Sequence, residues 1–334
     1  MSIAWGLNLG HGYVKAVGID GQGEELPPVL FPSQIALGER RSDGALAIAP
    51  LFEQGGKHWW AGDDANLGSP QVLLGQERIA DPVFLPVLTK AAHQFAGLPG
   101  PGSGIYCVTG LPGSWSDNTK LGDQLQARIK EALPGVFQKI LVVAEPEGLA
   151  LSQLLNSNGE EVGEERYREG RGLIIDLGAH TDDPSLLYKR RKIKGSTRTY
   201  QTGMLRALTE IRDWLSAQLG RDFSLHQIDQ IVREGMVSMG GGLTVPLPEG
   251  WDAPLVQLAD QVALRLHADY GNGTDLDYVF LGGGGALQKQ KVGAIQALYP
   301  FAQIVDDPQL AVARGYARLA RLRIRLAQQA AVAR

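Results

Sequence analysis

The stretch that decides the fold is Asn8-Leu9-Gly10-His11-Gly12-Tyr13-Val14-Lys15. It interrupts an apolar segment running from Ile3 to Ile19. The segment therefore reads as a strand, a tight glycine turn and a return strand, with Ala16, Val17 and Ile19 supplying β character to the return. Gly10 and Gly12 can take positive φ and let backbone N–H groups approach an anion, and Lys15 adds a positive charge beside it. An ordinary hairpin with a surface lysine accounts for the same residues. The pattern recurs at Leu173 to Ile175, a short buried strand followed by Asp176-Leu177-Gly178-Ala179-His180-Thr181-Asp182-Asp183. Here Gly178 and Thr181 offer a tight turn and a hydroxyl to a phosphate, and Asp176 or Asp183 could hold Mg²⁺ through water. A capped turn is the plainer alternative. Two starts of the form strand, glycine turn, strand predict a duplicated architecture, although the halves share few identical residues.

Around these starts the chain alternates apolar strands with helices, which indicates α/β layers. Ile105–Thr109, Ile140–Val143 and Tyr278–Leu281 read as buried strands. Leu121, Leu125 and Ile129 recur every four residues, as a helix requires, and further helices are predicted over Met204–Leu219, at Leu255 to Leu266, and over a last helix containing Leu310–Leu326. Phe31–Leu37 reads as one strand, Asn156–Arg171 as a loop, and Lys189–Lys194 as a hairpin turn. Pro184 is expected to interrupt the strand after the second turn. Glu145-Pro146-Glu147-Gly148 follows a buried strand, where a carboxylate can position a water, or where acids simply open a helix. Leu281 is followed by Gly282 to Gly285, so something passes close to the backbone there, either a ligand or a crossing helix. This is not the dinucleotide fingerprint, which needs G-x-G-x-x-G after the first strand.

Composition removes other classes. The chain has 43 glycines among 334 residues, well above an ordinary share of about 7%, but without the three-residue period of collagen. The net charge of −4 does not suit a basic nucleic-acid binder, so no direct DNA binding is expected. Cys107 is the only cysteine, which excludes an intrachain disulfide and a thiolate metal cluster. No apolar run approaches the roughly 18 residues of a membrane span, and no signal peptide is evident, so a cytoplasmic protein is expected. Arg314, Arg318, Arg321, Arg323, Arg325 and Arg334 form an arginine-rich tail without acids. It reads as a solvated helix face, or as a contact for an adaptor, a neighbouring filament or DNA.

The order of features is more specific than any one of them: phosphate turn, carboxylate after a strand, second phosphate turn, glycine cluster. In that order the chain resembles the superfamily of actin, the seventy-kilodalton chaperones and sugar kinases. Phe31-Pro32-Ser33, Trp60-Ala61-Gly62-Asp63-Asp64-Ala65, Val108-Thr109-Gly110-Leu111-Pro112, and Asp306-Asp307-Pro308 with Ala311, Ala313, Arg314 and Gly315 look like the bacterial and archaeal actin-like ATPases of the ParM type. The resemblance covers essentially the whole chain. It implies an α/β actin-like fold of two related ribonuclease-H-like domains around a nucleotide cleft. Their expected bounds are 1–143 plus 311–334, with an insertion around 31–75, and 144–310, with an insertion around 195–255.

The resemblance also implies residue roles. Gly10, Gly12 and Lys15 would meet the β- and γ-phosphates of ATP (or GTP), opposed by the turn of Gly178 and Thr181, with Asn8, His11, Tyr13, Ala179 and His180 also in the nucleotide site. Asp176 would sit by Mg²⁺ and its waters, with a less defined place for Asp183. Glu145 would place the attacking water. Gly283, Gly284 and Gly285 would pack on the adenosine, and Glu234 would lie near ribose or base. The family has Asp where this chain has Asn8, which keeps size and one acceptor but removes a charge. Slower hydrolysis and weaker Mg²⁺ organisation follow as expectations. The implied function is an ATP-hydrolysing filament that segregates plasmid DNA, its partners being further copies of itself and a DNA-binding adaptor. The alternatives are a nucleotide-gated scaffold with very slow hydrolysis, or a small-molecule kinase on the same fold.

Overall fold

The computed structural model describes residues 2–39 and 49–332. Ala4–Leu9 (β1) and Tyr13–Ile19 (β2) form an antiparallel hairpin, and Val29–Pro32 (β3) pairs with the outer side of β2. Ile35–Leu37 (β4), Phe52–Gln54 (β5) and Lys57–Ala61 (β6) make a small separate sheet. The helices Glu77–Ala80 (α1) and Phe84–Phe95 (α2) lead to strand Ile105–Leu111 (β7), helix Thr119–Ala132 (α3) and strand Phe137–Ala144 (β8). The first large sheet has the order β3-β2-β1-β7-β8.

Helix Glu145–Leu154 (α4) then crosses to the second half, where Glu165–Glu169 (α5) precedes Arg171–Leu177 (β9), Asp182–Tyr188 (β10) and Arg191–Lys192 (β11). Helices Met204–Leu219 (α6) and Leu225–Glu234 (α7), hairpin Met236–Gly240 (β12) and Leu243–Pro246 (β13), and helix Ala253–Tyr270 (α8) follow. Tyr278–Gly282 (β14), Lys289–Leu298 (α9), Ala302–Ile304 (β15) and Ala311–Val332 (α10) complete the chain. The second large sheet has the order β11-β10-β9-β14-β15. Position for position the two sheets repeat one topology, an antiparallel hairpin extended by parallel strands.

β1 shows how the sequence positions the site. Its side chains alternate between faces. Trp5, Leu7 and Leu9 join the core with Phe84, Leu85 and Leu88 of α2. Ala4, Gly6 and Asn8 face the other way, where α10 lies so close that a Cβ on Gly6 would stand 2.0 Å from the Ala313 carbonyl. The α10 backbone also meets α4: a Cβ on Gly315 would fall 1.7 Å from the Gly148 carbonyl. A sheet covered on both faces explains why every residue of β1 is buried.

Four expectations need correction. Phe31–Leu37 is not one strand: the chain turns at Ser33, whose N–H bonds to Gly12 O, and it enters two different sheets as β3 and β4. Asn156–Arg171 is not all loop, since it contains α5 and its last residue opens β9. Pro184 does not interrupt β10, which pairs with β9 continuously from Asp182 to Tyr188. Its neighbour Asp182 exchanges bonds with Tyr200, and the Pro184 carbonyl accepts from Arg198 N, so this register aims the missing N–H away from β9. The arginine tail is not a free contact surface. Arg314 pairs with Glu25 at 3.1 Å and with Asp307 at 3.0 Å. Arg318 donates to the carbonyls of Ser152 and Leu155, Arg321 to Gly21 O, and Arg325 to Asn158 O. Arg323 is exposed, and Arg334 lies outside the described residues.

Candidate nucleotide cleft

The β1–β2 and β9–β10 hairpins meet tip to tip. A Cβ on Gly12 would stand 2.7 Å from the Ala179 Cβ, and the His11 and His180 rings lie 4.9 Å apart. The need for glycine here is spatial rather than torsional: Gly10, Gly12 and Gly178 all lack positive φ. A side chain on Gly10 would strike Tyr13 O at 2.8 Å, and one on Gly178 would strike Thr181 O at 2.5 Å. The expectation of positive φ at Gly10 and Gly12 is therefore corrected to one of close approach.

A cleft of about 500 Å³ opens from this meeting point. His11, Gly12, Tyr13, Lys15, Gly178, Ala179, Glu234, Gly284 and Gly285 line it. Leu205, Leu208, Leu225, Val232, Trp251 and Leu287 add apolar walls to the same cleft. Glu234 closes α7, where Gln230 donates to its carboxylate at 2.8 Å. The remaining predicted residues sit behind the lining.

Asn8 Nδ2 donates to Glu145 Oε1 at 2.8 Å, and Asn8 Oδ1 accepts from Lys15 Nζ at 3.3 Å. This chain links the end of β1, the start of α4 and the middle of β2. Of the two acids of Glu145-Pro146-Glu147, Glu147 takes the helix-start role. Glu145 turns to Asn8, and Glu147 accepts from Ala144 N at 3.4 Å at the helix start. Burial raises the Glu145 pKa, opposed by Lys15, the Asn8 hydrogen bond and Arg78. Burial lowers that of Lys15, opposed by Asp176 and Glu145.

Asp176 and Asp183 face each other across the β9–β10 ladder. Asp176 receives no hydrogen bond from the described side chains, and burial, then Glu145, raises its pKa well above the usual carboxylate range. Asp183 is the occupied one. It accepts from Gly113 N at 3.0 Å, Thr199 Oγ1 at 2.5 Å and Thr181 Oγ1 at 2.7 Å, and burial then Glu145 brings its pKa up to about 7. The Thr181 hydroxyl is thus spent on Asp183. Asp182 pairs with Lys291 at 2.7 Å, both fully buried.

The four glycines after β14 have separate tasks. A Cβ on Gly282 would hit Leu149 of α4 at 2.3 Å, and one on Gly283 would hit Asp176 Oδ1 at 2.3 Å. Gly285 abuts the Leu177 carbonyl, whereas Gly284 has nothing nearer than 4.0 Å and faces open space in the cleft. Both a helix and the end of β9 pass close, and Gly284 is the position left for a ligand. Gly240 to Gly242 serve only the β12–β13 turn, all with positive φ and no neighbour within 4 Å.

Several site residues carried no signal in the sequence. Tyr13 OH donates to Asp229 Oδ2 at 2.8 Å and lies 3.1 Å from His226 Nδ1, so it bridges the cleft to α7. Asp63 reaches the other His226 nitrogen at 3.4 Å. Arg78 is buried beneath the first hairpin and donates to Gly10 O at 3.1 Å. No local pattern marks Asp229, His226 or Arg78, because each acquires its neighbours only when distant elements pack. The donor set fits an ion held through water and phosphate: Asp176 is free to accept, while among the described residues no three His, Cys, Asp or Glu converge on one point.

Two sheets of one topology, joined through α4 and α10 with paired hairpins over a cleft, define an actin-like fold. Residues 6–140 match the family described as actin like proteins N terminal domain. An archaeal actin homolog of Thermoplasma acidophilum is 27% identical over 193 residues, a match covering 53% of this chain and 55% of that protein. The chain thus spans about half the length of the curated relatives it matches. The crystal structure of an archaeal actin homolog superposes with a TM-score of 0.73 at 22% identity, covering 96% of this chain and 98% of that one. The same homolog in complex with ADP gives 0.70 at 20% identity, over 96% and 98%. A 15-stranded ParM filament from Clostridium botulinum gives 0.70 at 18% identity, with the same two coverages. No described helix is long and apolar enough to cross a membrane.

Proposed function

We propose that this chain binds ATP with Mg²⁺ between its two hairpins, hydrolyses it, and polymerises under nucleotide control to segregate plasmid DNA through a DNA-binding adaptor. The observation that carries the reading is the facing pair of hairpins, Gly12 against Ala179, with Lys15 beneath and a cleft of about 500 Å³ beyond. The ADP complex of the archaeal homolog and the ParM filament support nucleotide binding and self-assembly. The two sheets would be the cores of two domains, 1–143 with 311–334 and 144–310, that close on the nucleotide.

In this reading the hairpin N–H groups and Lys15 hold the phosphates, Gly284 and Gly285 lie against the nucleoside, and Glu145 orients the water. A new bond forms between water oxygen and the terminal phosphorus while the bond to the bridging oxygen breaks, releasing ADP, phosphate and the water's proton. Mg²⁺, when bound beside Asp176, would neutralise phosphate oxygens. A second reading, a nucleotide-gated scaffold with very slow turnover, is favoured by one contact: Asn8 gives its N–H to Glu145, the group that would orient the water.

Light scattering with ATP, ADP and a non-hydrolysable analogue, with phosphate release recorded in parallel, tests both. Scattering that rises with ATP and falls as phosphate appears is the expected result. Scattering with ATP but almost no phosphate supports the scaffold. Phosphate without polymer refutes the filament, and turnover only with an added sugar would make the chain a kinase.

A further inference from the structure

Arg78 is a deeply buried cation near the cleft that the reading above leaves without a task. It is 3% exposed and lies in α1, folded under the β1–β2 hairpin. Its Nη2 donates to Gly10 O and to Ser33 Oγ, each at 3.1 Å, and its guanidinium carbon stands 5.5 Å from the centre of the Phe84 ring. Both oxygen partners are uncharged. Its Nε has no partner among the described residues, and it borders a cavity of about 20 Å³ together with His11 and Glu145.

The contrast with Lys291, the other buried Lys or Arg among the described residues, is informative. Lys291 is matched by Asp182 at 2.7 Å, as burial of a charge requires. Arg78 makes no ion pair with any described residue. Its charged and titratable surroundings are Lys15, His11 and His180 on the hairpins, Glu145 on α4 and Glu77 beside it. Burial pulls its pKa down to about 10, so it stays a cation at neutral pH. That cation helps hold His11 neutral, second only to burial.

We infer that Arg78 is a positioning residue for the terminal phosphate of a nucleoside triphosphate. By holding the Gly10 carbonyl on the inner side of the hairpin, it leaves the N–H side of the turn to the anion. Its unpaired charge stands behind that turn and favours the more highly charged ligand. The site thereby distinguishes triphosphate from diphosphate. The inference rests on the proposed nucleotide site.

The test is calorimetric titration of the full chain with ATP and with ADP, in the wild type, R78Q and R78K. Glutamine removes the charge and is too short to place a donor where Arg78 Nη2 lies, and lysine keeps the charge without the fork. R78Q is expected to weaken ATP binding about ten-fold, equivalent to roughly 1.4 kcal/mol, and ADP binding by less than about three-fold. R78K is expected to keep the wild-type ATP-to-ADP preference within about three-fold. An R78Q protein that weakens both ligands equally, or neither, overturns the inference. So does an R78K protein that loses the preference, which decides the matter if R78Q fails to fold. A wild type that binds neither nucleotide refutes the proposed site instead, a result distinct from all of these.

Discussion

Asn8 joins Glu145 to Lys15 behind the lining of the cleft. Strand alternation puts it on the α4 side of β1, where its amide serves as donor to Glu145 and acceptor for Lys15. An acid at this place would set a second carboxylate within 2.8 Å of Glu145 and take from Glu145 its amide donor, while Lys15 could still donate to the new carboxylate. Asn8→Asp should therefore destabilise the nucleotide-free protein by about 1–3 kcal/mol. It should also make Mg²⁺ stabilising to a degree the wild type does not show, since a bound cation would relieve the repulsion. Thermal melts of both proteins with and without Mg²⁺ decide this, and an equal response to the ion refutes it. At this scale Glu145 and Asp176 stood out from their places after buried strands and Lys15 from its place beside a glycine turn, whereas Asn8 entered only through the resemblance to actin-like proteins. What escaped was the occupation of each group. Thr181 and Asp183 satisfy one another, and that is visible only once the β9–β10 register is known.

At the scale of elements, α10 ties the halves together. Its small residues let it lie against β1 and α4, and its arginines reach across to backbone carbonyls that have no helical partner. Arg318 donates to Ser152 O and Leu155 O, at the C-terminal end of α4. Those carbonyls belong to the unsatisfied last turn of a helix, where a cation is favoured. Arg318→Ala should lower stability by about 1.5–3 kcal/mol, whereas exposed Arg323→Ala should stay within about 0.5 kcal/mol. Denaturant titrations of the two variants check the contrast, and equal effects would show that the tail is only a solvated face. The helical periodicity of this segment was legible in the sequence. The destination of its arginines was not, because a composition without acids looks the same whether the partners are carbonyls, water or another molecule.

At the scale of the whole molecule, the cleft is bridged by Tyr13, which donates to Asp229 beside His226, with Asp63 completing the bridge from the first half. Tyr13, His226 and Asp229 line the cleft proposed for the nucleotide. Tyr13→Phe removes the bridging hydroxyl and keeps the ring, so it should speed release of a bound fluorescent nucleotide about five-fold, the effect of losing roughly 1 kcal/mol. Stopped-flow displacement measures this rate. An unchanged rate means that the bridge does not restrain opening.

The sequence by itself determined the alternation of apolar strands and helices, the two hairpin turns and the duplicated order of elements. Each of these is a local matter of period, β-branching and glycine, set within a few residues of chain. Only the tertiary structure decided which glycines make room and for what, that Pro184 could stay inside a strand, and that the arginine tail binds its own chain. It also decided that Arg78 lies beneath a hairpin. The physical reason is separation along the chain. Asn8 and Glu145 stand 137 residues apart, and Tyr13 and Asp229 stand 216 apart. A contact of that range is written in the packing of whole sheets, where one-dimensional patterns carry no record of it.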